Sequence, residues 1–435
     1  MAARSFLGDM LTTLFERRQT ATNFGDNRSL SDMCRSLLDA EGEISGLKLA
    51  QAILDRYARL TPDETLEFFL FLNNALEVDM AALNDAIVEY GLTQSMAGYA
   101  KISALSESPR QELLRRLNQP PGATQALVNM RRDLLEALEG TPELARSDLD
   151  FQHLLRSWFN RGFLVLQPIN WESPASILEK IVEYEAVHAI SDWDDLRRRL
   201  YPQDRRCFAY FHPSMPDEPL IFVEVALTKS VPSSIQRLLS EERKHRDAQD
   251  TKVAVFYSIS NCQKGLRGIS FGNLLIKQVV AELQQELPGL ETFVTLSPIP
   301  KLNTWLADQS DIKGVEPLIQ GTADQITVKA AATHYLLSAK NTHGAPFDPV
   351  ARFHLGNGAQ IFAVHGAADL SENGLRQSGG AMVNYQYDLD VIEQNHEKFV
   401  QSGEVCISPA FQAAQQKSRP KRAAAKTRPK SRASH

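Results

Sequence analysis

Between Lys252 and Pro300 the chain reads KVAVFYSIS, a glycine-bearing loop, GNLLIKQVVAELQQELPG and then TFVTLSPIP. The outer runs are apolar, β-branched and aromatic, the composition of buried strands, while the middle run repeats its apolar residues at helical spacing. Strand, helix, strand leaves few options, because a crossover through a helix makes the two strands parallel neighbours with a right-handed connection. Ligands of such sheets gather beyond the carboxyl ends of the strands. Ser297 falls at that end, just before Pro298, and Pro298 and Pro300 lack the amide hydrogens that a ladder needs. The second strand is therefore expected to end on a hydroxyl. A turn serine satisfies this pattern, and so does a serine presented to a ligand.

The residues before this segment have a different period. Apolar positions recur every three to four residues in LGDMLTTLFERR, GLKLAQAILDRYARL and TLEFFLFLNNAL, the pattern of amphipathic helices. Thr61, Pro62 and Glu64 predict a capping box, Ser108, Pro109 and Gln111 repeat it, and Gly140 closes the helix that follows QPPG. No repeat of solenoid length is present, which favours a bundle. From about residue 160 the texture becomes that of strands in GFLVLQPINW, RCFAYFHP and PLIFVEVALT, with a short helix predicted where Ser173 caps and Pro174 begins SPASILEKIVEYEAV. At 435 residues two domains and an appendage are expected. The organisation read from the sequence is an α+β two-domain chain: an all-helical domain over residues 1–155, an α/β domain over 156–415, and a disordered basic tail over 416–435.

Composition excludes several classes. Cys34, Cys207, Cys262 and Cys406 lie far apart, without metal-ligand spacing, so neither a disulfide framework nor a metal site is expected and a reducing, cytoplasm-like compartment is implied. The first residues have no signal-peptide core. Arg4, Arg17 and Arg18 keep a mitochondrial presequence as the alternative, against which Asp9 and Glu16 count. No apolar run has the length of a membrane span. The overall charge of −6 includes a tail from Lys417 onward with eight basic residues and no acidic one. That tail has no aromatic stacking residue, so a solvated segment is expected rather than a specific nucleic-acid site.

Arg267, Gly268, Ile269, Ser270, Phe271, Gly272 and Asn273 link the first strand of the crossover to its helix. First-turn amides of a helix have no internal partners and attract a pyrophosphate, and glycines let the backbone approach it. A simple tight turn reads the same way. The loop matches neither the Walker pattern nor the dinucleotide glycine fingerprint.

The order of loop, amphipathic helix and splayed strand resembles GNAT-type acyltransferases, with Ser270 where that pattern has its first glycine. Taken together, YFHPSMPDEPLIFVEVAL, VFYSIS, RGISFGNLLIKQVV, LSPIP, PVARFHLGNGA and NYQY resemble the malonyl-CoA decarboxylase family from about Ser157 to Tyr387. That resemblance implies a GNAT-like catalytic domain behind an all-helical one, malonyl-CoA and acetyl-CoA as ligands, no cofactor, and assembly of like chains through the helical domain. It makes Ser297 and His354 the catalytic pair, residues 267–273 the CoA-binding loop, and Ser258 and Tyr387 part of the acyl pocket. The chemistry asks for hydrogen bonds to a developing thioester enolate, an oriented carboxylate and a proton for Cα. A hydroxyl can orient, and an imidazole can supply a proton near neutral pH. Which of the two faces the carboxylate is left open. So are two rival readings: an acyltransferase, which needs an acceptor, and a malonyl-CoA sensor, which binds without turnover.

Overall fold

The computed structural model describes residues 28–269, 272–309 and 316–418. The helix expected over LGDMLTTLFERR lies outside them, as does the basic tail beyond Ser418. The final helix, Pro409–Ser418, runs into the first residues of the span expected to be tail. The chain divides into two compact units, Met1–Phe151 and Gln152–His435.

The first unit is helical throughout its described residues. Thr61 forms the expected capping box with Glu64 at the head of Pro62–Ala75. Ser108 departs from expectation, since its hydroxyl donates to Asp150 at 2.8 Å rather than capping its helix. Asp150 also takes the buried Arg110 guanidinium, 2.7 Å from Nε, so the hydroxyl is drawn into an interhelical polar cluster. The helices are held by an apolar core that includes Leu37, Ile53, Phe69, Leu72, Leu113 and Leu127.

The second unit carries one eight-stranded sheet. Strands β1 (Val165–Ile169), β2 (Arg205–Phe211), β3 (Ile221–Thr228) and β4 (Val253–Asn261) pair antiparallel in sequence order. β4 then pairs parallel with β5 (Thr292–Thr295) across the helix Gly272–Glu286. Beyond them, β6 (Ser297–Pro298) and β5 both lie against β8 (Met382–Gln386), whose other neighbour is β7 (Gln360–His365). The parallel pair and its crossover helix are the arrangement expected of a GNAT-type domain.

Alternation along the strands builds the core. Val223, Val225, Ala254 and Phe256 face the crossover helix, where Leu275, Ile276, Val279, Val280 and Leu283 meet them. Ala226, Val253, Val255 and Tyr257 pack on the opposite face. The short helix expected to begin at Pro174 begins at Ala175. Ser173 does not cap it, because its hydroxyl accepts the Asn170 N–H in the preceding turn at 3.1 Å. Among the described residues no helix is long and apolar enough to cross a membrane.

Candidate active site

β4 and β5 share rungs only as far as Phe256 and Thr295, and the Leu296 N–H then makes one last bond to the Phe256 carbonyl at 3.0 Å. Beyond that point β4 stays with β3, while Ser297 and Pro298, opposite Val383 and Met382, continue the pairing with β8 that β5 already makes at Val294. The strand therefore does not end on Ser297, as its two prolines suggested. It loses β4 there and keeps β8, and Pro298 closes a two-residue segment where a missing N–H costs little. Ser297 sits where the parallel strands part.

His354 reaches the same place from the helix Pro349–Gly356. Asp348 caps that helix, its Oδ1 accepting the Val350 and Ala351 N–H groups at 2.9 and 3.0 Å, and Pro349 takes the first helical position. The helix leaves through Asn357 and Gly358. Gly358 has φ +83°, and a Cβ there would lie 2.0 Å from the Ile392 carbonyl oxygen, so only glycine fits the turn into β7.

The buried side chains form one chain of contacts. His354 Nε2 lies 3.1 Å from Ser297 Oγ, and Ser297 Oγ donates to Thr295 Oγ1 at 2.8 Å. On the other side of the ring His354 Nδ1 lies 2.7 Å from the Tyr387 hydroxyl. Tyr385 stacks on the imidazole at 4.7 Å between centroids, and Phe353 meets it edge-on at 5.0 Å. Thr295 is itself held, because its Oγ1 accepts the Tyr385 N–H at 3.1 Å and its carbonyl takes the Asn384 amide at 2.7 Å.

Burial decides the charge of this site. It pushes the His354 imidazole down to about 3, so the ring is neutral at physiological pH, and it pushes the Tyr387 phenol well above its ordinary range. The imidazole expected to supply a proton near neutral pH is therefore a neutral ring with a single N–H in the free protein, not an imidazolium. The arrangement can hold a ligand by neutral hydrogen-bond donors in a water-poor, apolar setting, where such donors are most effective.

Of the residues singled out in the sequence, Ser297, His354 and Tyr387 are brought together. Ser258 is not in that chain: beyond a bulge at Glu224/Val225 its hydroxyl turns to Glu185, donating at 2.8 and 2.7 Å to the two carboxylate oxygens. Arg267 and Gly268 are exposed in the loop, Gly268 with φ +82°, and Ile269 is buried. Ser270 and Phe271 lie outside the described residues. Gly272 and Asn273 open the crossover helix, so its N-terminus lies at the loop. His212 is a turn residue, its Nδ1 accepting the Ser214 N–H and its Nε2 3.1 Å from the Trp158 carbonyl.

Sequence reasoning missed Thr295, Tyr385 and Asp348. Each carried a signal. Thr295 and Tyr385 stand two residues before Ser297 and Tyr387, and so share their faces in a strand. Asp-Pro ahead of VARFHLG is a helix start.

Comparison with known proteins agrees with this architecture. The family model for the malonyl-CoA decarboxylase C-terminal domain matches residues 162–328 and 316–426, and that for the N-terminal domain matches 76–159. Mitochondrial malonyl-CoA decarboxylase of Anser anser anser is 34% identical over 339 residues, 67% of this chain and 67% of the relative. The enzyme of Rattus norvegicus is 34% identical over 345 residues, 68% and 69%. The crystal structure of malonyl-CoA decarboxylase from Rhodopseudomonas palustris superposes with a TM-score of 0.83 at 47% identity, covering 88% of this chain and 98% of that one. The structure from Agrobacterium vitis gives 0.81 at 47% identity, covering 89% and 99%.

Proposed function

Because the chain belongs to the malonyl-CoA decarboxylase family, we propose that it converts malonyl-CoA to acetyl-CoA and carbon dioxide with Ser297 and His354 as the working pair. The observation that carries this reading is the 3.1 Å contact of Ser297 with His354 where β4 and β5 part. In the reaction the bond from Cα to the carboxylate breaks, its electron pair moves into the thioester as an enolate, and carbon dioxide leaves. Ser297 orients the carboxylate so that the breaking bond stands across the carbonyl plane. His354 gives the Nε2 hydrogen to Cα, which in a thioester enolate is basic enough to take it from a neutral ring, and the ring regains a proton from solvent on product release. The loop at residues 267–273, at the mouth of its helix, holds the CoA pyrophosphate.

The test is to incubate the purified chain with malonyl-CoA alone and identify products by mass. Acetyl-CoA with carbon dioxide is expected. A requirement for an acceptor would make the chain an acyltransferase, and binding without turnover would make it a sensor.

The chain also assembles with copies of itself through its helical half. The helices Met80–Thr93 and Met96–Ser106 bury only Ala86 and Gly98, and leave Val88, Leu92, Met96 and Tyr99 exposed, an apolar surface of the kind that marks an interface. Leu92→Lys with Met96→Lys should lower the mass seen in light scattering. Cys34, Cys207, Cys262 and Cys406 are buried free thiols, which supports a reducing, cytoplasm-like compartment.

A further inference from the structure

A neutral imidazole has one N–H, and which nitrogen bears it decides whether Ser297 is offered a donor or an acceptor. We infer that Tyr387 is a positioning residue that fixes this tautomer: its phenol donates to Nδ1 of His354, so Nε2 carries the hydrogen and donates to Ser297, whose own hydroxyl is turned to Thr295. This rests on the reading of Ser297 and His354 as the working pair.

Two directions of hydrogen bonding are consistent with the contacts. In the first, protons point from Tyr387 through His354 and Ser297 to Thr295. In the second they point the other way. The lengths alone, 2.7 Å between Tyr387 and Nδ1 and 3.1 Å between Nε2 and Ser297, fit either direction. The Ser297 hydroxyl separates the two, because it is oriented to donate to Thr295 and so leaves its oxygen to accept from Nε2. Each direction leaves one hydroxyl proton without an acceptor among the described residues, Thr295's in the first and Tyr387's in the second. A phenol is the stronger donor and the weaker acceptor of the two, so idling its proton costs more. Burial keeps the ring neutral, which forbids protonating both nitrogens to avoid the choice.

The consequence separates this pair from a nucleophilic serine and histidine, where the imidazole accepts the serine proton. Here Ser297 receives a hydrogen bond from His354 and is not activated for attack. Its hydroxyl hydrogen, borrowed by Thr295, is free to turn to an arriving carboxylate without breaking the bond to His354. The pair is thus set to orient an anion and to present an N–H. Tyr387 acts only through the ring, and Thr295 is the resting acceptor.

The experiment uses the full chain labelled with 15N-histidine, without substrate, near neutral pH. Long-range 1H–15N spectra report which ring nitrogen is protonated, and His354→Gln assigns the signal. In the wild type Nε2 should be protonated and Nδ1 bare. In Tyr387→Phe the proton should shift wholly or partly to Nδ1, and kcat should fall on the order of tenfold with KM within about twofold. A wild-type ring protonated on Nδ1 overturns the inference, as does an unchanged tautomer in Tyr387→Phe. A raised KM at unchanged kcat would make Tyr387 a pocket wall and overturn it as well. If Tyr387→Phe fails to fold, the wild-type spectrum still decides. Because the spectra need no turnover, a wild type unable to process malonyl-CoA would remove the functional reading and leave the tautomer to be judged on its own.

Discussion

The backbone N–H of Lys301 donates to Oδ2 of Asp348 at 3.4 Å. One carboxylate thereby ties the segment that carries Ser297 to the helix that carries His354, because the Oδ1 of Asp348 caps that helix. The Tyr335 hydroxyl adds a bond to Oδ2 at 3.3 Å. The segments that carry Ser297 and His354 are thus registered on a single buried side chain whose hydrogen bonds go to neither of those two side chains.

Asp348→Ala should therefore cost stability and activity together. Loss of the cap and of acceptors for buried donors amounts to roughly 2 to 4 kcal/mol. Because the distance from Ser297 to His354 loses its reference, kcat should fall more than KM rises. Urea unfolding and steady-state rates check both. A variant as active as the wild type would mean that the pair is registered by other contacts.

Acid stability should report the burial of His354. Its folded value near 3 lies below the value of about 6.5 of an unfolded chain. Below about 6.5 the unfolded chain takes a proton that the folded chain refuses, so stability present at neutral pH is lost as pH falls through that window. The loss amounts to at most about 1.4 kcal/mol per pH unit. His354→Gln should show a shallower slope by that amount, whatever its stability at neutral pH. Comparing the slopes cancels the other buried groups, including His188, which burial lowers to about 4. Equal slopes would mean that His354 is solvated.

The loop gives a third test. Gly268 has φ +82°, with nothing among the described residues within 4 Å of the place a Cβ would take, so a branched residue there meets backbone strain rather than a clash with them. A left-handed non-glycine residue costs roughly 1 to 2 kcal/mol. Gly268→Val should weaken CoA binding about tenfold if the loop must hold this shape to receive a pyrophosphate. The helices of the first unit should melt as before. Calorimetry with CoA measures the effect, and unchanged affinity would place the phosphates elsewhere.

How much of this was legible in the sequence depends on how local each signal is. The capping box at Thr61 and Glu64, and the strands β1 to β5, follow from period and composition over a few neighbouring residues. β7 and β8, six and five residues long and so no shorter than β1 and β5, do not stand out as strands because Gln360 and His365 bound the one and Asn384 and Gln386 interrupt the other. Their absence hid the second partner of this strand, since β8 holds the chain from Val294 to Pro298 after β4 has parted from it. Pairing with a distant strand is a tertiary event, and Pro298 looks like a terminator when only β4 is in view. Ser297 and His354 are 57 positions apart, and no local pattern joins them. Their pairing came from the family resemblance. The neutrality of His354 was not readable at all, since it depends on what the fold packs around the ring.

The pair itself gives the last prediction. If Ser297 orients the substrate, Ser297→Ala should lower turnover of malonyl-CoA by on the order of tenfold to a thousandfold, the range for removal of one preorganised hydrogen-bonding group. His354→Gln should do at least as much. The double variant should be scarcely worse than the poorer single one, because groups that act through a shared contact do not add. Acetyl-CoA affinity should be nearly unchanged in each, since acetyl-CoA has no carboxylate to orient. A structural serine would behave differently. Its hydroxyl bonds Thr295 inside the sheet, so its loss would lower the melting temperature, corresponding to about a kilocalorie, and leave the rate of the folded enzyme alone. Melting temperature and kcat measured on the same preparations decide between the two. Wild-type turnover in Ser297→Ala, or a loss that tracks unfolding alone, would leave the hydroxyl with no part in the chemistry.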